Sequence, residues 1–539
     1  MRVLRTTGLS ALLLASAAAC ADLSVPNNNQ PDQSRVVADA GDVETLVANS
    51  YLTLFYGYTW QTDLVLSVAA FQHSAMAANL GMIQFSKIPR EPIGNTTSDA
   101  YRNTNQEIWY NSYGAIKAAV DGLQATDPAN PDGFSIIDPA TGADNTPRAR
   151  AWARFVQGLG HGLIALTYDQ GFVYDTDSDP TALEFQPYGE VMAEALSMLD
   201  EAASIAASNN FNIPPSWFGN VGMDRAGFVK MVNGYQAYLR ASVARTPAER
   251  AAVDWGAVIA DVDASYGCSG AVCDDLFIAA DANIWIHGTH LFVGFGSFVG
   301  AWAQMFYQIH GMADQSGKYQ EWLSLPVLSR HPLQLPSGPF LIQTPDLRFP
   351  QGADAGEQVD NPGVYIIYGG ARAHVRSDRG TWRWSLYRDA RNDDMLGDEG
   401  ESIMLSGRDL RLLKAEGLYR QGNRAGAAAI INETRVNIGG LNATDAGGTN
   451  TSCVPKLPTG ACGDLWEMLK WEKRMENYEY GYGVWFFDSR GWGDLYKGTP
   501  IHFPVPAREL QVLGLPLYTF GGTGDGAAPC SSYNWKFEC

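Results

Sequence analysis

Positive charge is scarce in this chain of 539 residues: 38 Lys and Arg stand against 58 Asp and Glu, a formal net charge of -20. That argues against a nucleic-acid partner, which needs a basic face to meet phosphates. It also excludes docking on anionic lipid. Long apolar runs are lacking too. Leu9 to Ala19 is the one sustained stretch, about ten residues where a membrane-spanning helix needs ~20. Catalytic signatures are missing: there is no G-x-S-x-G elbow, no H-E-x-x-H and no P-loop. Cysteine is sparse as well, with seven in the whole chain.

Those cysteines are informative because their number is odd. After Cys20 they fall as Cys268 and Cys273, Cys453 and Cys462, Cys530 and Cys539, each pair flanked by loop-forming residues. Arg2 and Arg5, the apolar stretch and the Ala17–Ala19 run read as a secretory signal. An exported chain meets an oxidising compartment, so three local disulfides are expected. Cys20 has two readings. Ordinary cleavage after Ala19 leaves a free thiol, whereas a bacterial lipobox makes Cys20 the acylated N-terminus, with Ala17 where Leu is usual. The left-over cysteine favours the lipid. "SVPNNNQPDQS" follows, too polar and too broken by Pro26 and Pro31 to fold, and serves as a tether. Residues 1–19 are thus expected to be a signal peptide and 20–40 a lipidated cysteine with a flexible tether.

Helical periodicity dominates both ends of the remainder. "VETLVANSYLTLFYGY" places Leu46, Ser50, Thr53 and Leu54 at helical spacing behind Asp42, a candidate cap. A long amphipathic helix follows Asp99, with Ile108, Trp109, Tyr113, Ile116 and Val120 on one face. Pro147 opens another, at a first-turn position. From Arg408 to Gly440 a helix, a Gln421-Gly422-Asn423 turn and a second helix make one tetratricopeptide-like unit. The predicted fold is mainly α: a helical-repeat scaffold at about 41–265 and 405–496, with an irregular, loop-rich insert at about 266–404 and an extended segment at about 497–539. Within the insert, "GVYIIYGG" and "TWRWSLYR" predict minor β-structure.

Candidate chemistry is mostly weak. Asp175, Asp177 and Asp179 alternate like the start of a calcium loop, but Pro180 and Gln186 stand where that loop needs Gly and Glu. His287 and His290 lack a third ligand nearby, so no metal is expected. The acidic run from Arg391 to Ser402 reads as a solvated loop. What stands out is 15 Trp and 24 Tyr. Indole and phenol rings accept the apolar C–H faces of sugars, and polar edges take the hydroxyls. Tyr58 and Trp60 near the N-terminus, and Trp285, His287, Trp302, Trp322, Trp382 and Trp384 in the insert, are the candidate ligand-binding residues. Many other rings, such as Trp109, Trp152, Trp466 and Trp471, sit on helices as core.

Taken together, the lipoprotein signal, "DLSVPNNNQPD", "VETLVANSYLTLF" and "WARFVQGLGHGLIALTYDQGF" resemble the opening of SusD/RagB-like nutrient-binding outer-membrane lipoproteins. "LLKAEGLYRQGNRAGAAAIINETRVNIGG" resembles the late repeat of that family. "LWEMLKWEKRMENYEYGYGVWFFDSRGWG" before "IHFPVPARELQV" is similar to its closing signature, with Lys473 replacing one Arg among Glu472, Arg474 and Glu476. The resemblance implies a single SusD-like body over 41–539, without catalytic activity and without a cofactor. It implies a cell-surface, lipid-anchored protein acting as a lid on a SusC-like TonB-dependent transporter and capturing oligosaccharides or, in some members, peptides. The charges of the closing helix are expected to tie the repeat to the insert. An enzyme acting on glycosides and an adhesive surface protein are the remaining alternatives.

Overall fold

Amphipathic helices account for most of the architecture. The computed structural model describes residues 39–74, 81–269, 272–281, 283–286, 304–370, 385–391, 399–478, 480–536 and 539. Helix α1 (Ala40–Tyr58) is capped by Asp39, whose carboxylate accepts from Asp42 N–H at 2.9 Å. The cap thus lies three residues before the Asp42 that the pattern offered. After α2 (Gln61–Ala69) comes α3 (Arg102–Ala125), which has no side-chain cap; Asp99 instead accepts from Tyr101 N–H at 2.7 Å, just short of the helix. Pro147 sits in the first turn of α4 (Thr146–Thr167), as expected of a residue with no N–H to satisfy.

Successive helices pack as neighbours. α1 lies on α3, α3 on α4, α4 on α5 (Tyr188–Ser208), α5 on α6 (Arg225–Ser242) and α6 on α7 (Trp255–Asp263). The late unit continues the stack: α7 on α8 (Gly407–Arg420), and α8 on both α9 (Arg424–Arg435) and α10 (Leu465–Glu476). Close approach depends on small residues. A Cβ at Gly158 of α4 would stand 2.8 Å from the Ala195 carbonyl oxygen of α5, so only glycine lets these helices meet at this distance. Between the helices runs an aromatic core in which Tyr51 lies 5.6 Å from Trp152 and 5.1 Å from Phe218.

The insert is stitched at its root. β1 (Leu276–Ala280) pairs antiparallel with β4 (Gly400–Leu405), Ala280 opposite Gly400 and Leu276 opposite Leu405. Farther in, β2 (Ile366–Tyr368) pairs with β3 (Tyr387–Asp389); β2 lies within the first stretch predicted as β-prone, and β3 starts in the second and ends one residue past it. Cys268–Cys273, Cys453–Cys462 and Cys530–Cys539 are joined as local disulfides. The final segment folds back on the start: Phe503 N–H donates to the Thr167 carbonyl at 2.8 Å and Ile93 N–H to that of Phe520 at 3.0 Å. Among the described residues no helix is long and apolar enough to cross a membrane.

Helix α10 ties these parts together through buried charge. Arg348 of the insert donates to both oxygens of Asp346 (2.9 and 2.8 Å) and both of Glu472 (2.6 and 3.1 Å). Tyr365 OH donates to Glu476 at 2.9 Å. On the other side Lys473 meets Asp488 of α11 (Val484–Trp492) and Asp409, while Arg474 donates to Asp494 at 2.8 Å. All four charges of the closing signature are therefore buried and structural.

Candidate functional site

Three segments of the chain share one base. Ser74 donates through N–H and Oγ to the Gln304 carbonyl at 2.9 and 3.2 Å, and His73 bridges Met305. Met305 N–H donates to Tyr387 O at 3.2 Å, and Gly369 N–H to Leu386 O at 2.8 Å. Ser74, Gln304, Gly370 and Ser385 thus stand together. Ser74 borders residues 75–80, Gln304 ends 287–303, and Gly370 and Ser385 flank 371–384. Four of the sequence's eight ligand-binding candidates belong to those stretches: His287, Trp302, Trp382 and Trp384 lie outside the described residues, as does Cys20.

This base is polar although it is buried. His73, Gln304, Gln308, His310, Ser385, Arg388 and Asp389 are all enclosed. Burial lowers both His73 and His310 to about 3, so each imidazole is neutral at any physiological pH. His310 stacks on Trp485, with centroids 5.6 Å apart, and its Nδ1 lies 3.0 Å from the Phe306 carbonyl. A neutral ring in that setting carries its proton on Nδ1, leaving Nε2 as an acceptor. Among the described residues, that Nε2 and the carboxamides of Gln304 and Gln308 have no hydrogen-bond partner. Unmet buried amides cost about 1–3 kcal/mol each, and ordered water or a ligand offsets that cost. Uncharged donors and acceptors of this kind match hydroxyl groups rather than ions. Beside them Arg391 pairs with Asp389 and lies over the Tyr365 ring at 4.1 Å and the Tyr480 ring at 5.1 Å. Among the described residues no group of three His, Cys, Asp or Glu could hold a metal. Asp175, of the alternating run, is bound by Arg154 and Gln157.

Several sequence candidates are placed elsewhere than a sugar platform requires. Tyr58 is buried, with its hydroxyl 2.5 Å from that of Tyr51. It lines a cavity with Tyr235, Tyr238, Tyr482, Asp409 and Asn477. That cavity holds about 20 Å³, space for a water molecule or two and none for a sugar ring. Trp285 is buried against Phe55 and Tyr51, pinning the insert to α1. Trp322 is buried among Phe306, Tyr307 and Tyr319, with Nε1 donating to the Arg330 carbonyl at 3.1 Å. These three rings have no free face; they anchor the insert because an irregular segment needs large apolar side chains to hold it on a scaffold. Trp60 alone of the described candidates is half-exposed, at the start of α2. The reading of the sequence missed His73, Gln304, Gln308 and His310. Their signal is the polar side chains set inside apolar stretches, "AAFQHSAM" and "AQMFYQIHGM".

No family profile matches the chain, and no curated protein matches it. Solved structures do. A SusD superfamily protein from Bacteroides vulgatus is 16% identical, with a TM-score of 0.50 over 85% of this chain and 89% of that one. A SusD homolog from Parabacteroides distasonis is 12% identical, with a TM-score of 0.51 over 83% and 84%. A SusD-like protein from Bacteroides fragilis is 12% identical, with a TM-score of 0.50 over 87% and 89%. This chain has the fold of the SusD/RagB-like proteins.

Proposed function

We propose that this protein is a nutrient-binding lipoprotein of the outer membrane's external face, held by a lipid on Cys20. It captures oligosaccharides and delivers them, as a lid, to a SusC-like TonB-dependent transporter. It performs no catalysis. One observation carries the reading: in a SusD-like fold, the stretch that holds Trp382 and Trp384 starts and ends on a buried base of neutral amides and imidazoles, and the stretch that holds Trp302 ends on it. Such a base supplies hydrogen bonds to hydroxyls, and the indoles of Trp302, Trp382 and Trp384 supply surfaces for sugar C–H faces. Changing these three tryptophans together to Ala should weaken oligosaccharide binding at least tenfold in titration calorimetry, with the melting temperature unchanged. Full binding by the triple variant would move the site elsewhere. Solubilised outer membranes should yield the protein together with a large β-barrel; isolation always without one would remove the lid from the account.

A further inference from the structure

A second cleft lies beyond the far end of α3. It opens about 500 Å³ between the last turn of α3, the loop leading to α4 and the last turn of α5. That is within the roughly 300–1,000 Å³ typical of small-molecule sites. The cleft is distinct from the insert's base. Thr62 of α2, the helix leading to His73, donates to the Thr104 carbonyl in the first turn of α3 at 3.0 Å. The cleft adjoins the other end of that helix, about 36 Å away along an axis rising 1.5 Å per residue.

Its walls combine an apolar ring with polar groups on both sides. Phe134 is half-buried: its side chain packs against the hydrophobic core, and its N–H donates to the Ala125 carbonyl at 2.8 Å, which holds its backbone at the end of α3. Arg150 rises from α4 and holds the same end, its Nη1 donating to Leu123 O at 3.1 Å and Thr126 O at 3.0 Å. Asp127 and Asp144 each commit Oδ1 to their own loop, accepting from Ala129 and Thr146 N–H at 2.9 Å. Asn209 closes the cleft from α5.

The geometry points to a carbohydrate subsite here, one hexose unit of a neutral glycan lying on the Phe134 ring. Planar carboxylates and a guanidinium suit vicinal hydroxyls, which accept and donate at once. The two carboxylates outnumber the one cation and turn away anionic ligands. The part of the Phe134 ring that lines the cleft offers apolar surface to sugar C–H bonds. This site is independent of the one proposed at the insert, and gives the protein two footholds on a long glycan.

4-Fluorophenylalanine placed at position 134 of the full-length protein reports on this cleft alone by fluorine NMR. Maltohexaose, cellohexaose, mannohexaose and xylohexaose are titrated separately. At least one should shift the resonance saturably, and Asp127→Asn with Asp144→Asn, which keeps both loop acceptors, should raise the apparent Kd at least tenfold. No shift with any of the four up to about 10 mM, beyond the weakest useful affinity, overturns the proposal. So does a shift that survives the double substitution unchanged. Phe134→Ala, followed by calorimetry on the same sugars, gives the parallel reading: loss of one set of sites supports the subsite, and an unaltered isotherm contradicts it.

Discussion

Burial decides which acids keep their charge, and Glu107 shows it. Desolvation raises this carboxyl to about 7, partly offset by the Gln61 N–H that donates to it. Asp169 is likewise raised to about 6, against the Tyr518 hydroxyl. In the unfolded chain such groups titrate near 4. The folded protein therefore holds protons that the unfolded chain has released, and stability falls as pH rises from about 4.5 through 7. Glu107→Gln keeps an acceptor for Gln61 and should stabilise the protein by about 1 kcal/mol at pH 8, after allowing for solvent screening, with little effect at pH 4. Urea melts at the two pH values measure this; equal effects at both would contradict it. Glu416 behaves oppositely. Burial alone would raise it, but the two-pronged pair with Arg250 holds it at about 2. Its contribution is complete above about 4.5 and is lost as pH falls toward 2. At this scale the sequence is hardest to read. Tyr58, Trp285 and Trp322 have the same local composition whether a ring meets ligand or pins a loop, and only burial separates the two. The base of His73, Gln304, Gln308 and His310 is assembled by pairing of distant strands, which no spacing in the chain announces.

Elements are held by close contact and by buried charge, and each makes a prediction. Gly158→Ala improves helix propensity, yet its methyl would press on the Ala195 carbonyl and Leu199, so α4 and α5 must separate. A net loss of about 1–3 kcal/mol is expected in denaturant unfolding; a gain would show that the helices can shift apart freely. Arg348→Met removes the guanidinium that pairs with Asp346 and Glu472 in a dry interior, and should cost about 3–5 kcal/mol. A loss below ~1 kcal/mol would mean that α10 does not depend on this link to the insert. Helices were legible because 3.6-residue periodicity survives any tertiary setting: α1, α3, α4 and the α8–α9 unit all lie where it puts them. Caps were less so. Asp39 and Asp42 are equally good N-cap residues, and the choice between them rests on one hydrogen bond. The closing charges were legible as structural, since α10 carries Glu472, Lys473, Arg474 and Glu476 beside large apolar residues that must be buried.

At the scale of the whole molecule, the acidic composition and the arrangement of a repeat scaffold carrying an insert fit a protein that meets uncharged ligands. The three disulfides use every cysteine after Cys20, the residue on which the lipid is proposed. Mass spectrometry of the mature N-terminus should find a triacyl or diacyl cysteine there; an unmodified Cys20 would remove the anchor from the account. Cargo is the central claim, and one binding experiment tests it most directly. The protein starting at Ala21 is applied to an array of plant, microbial and host glycans with a peptide library beside it. Selective binding to a related set of neutral glycans, with no peptide signal, is the predicted result. Peptide binding without any glycan signal would contradict it.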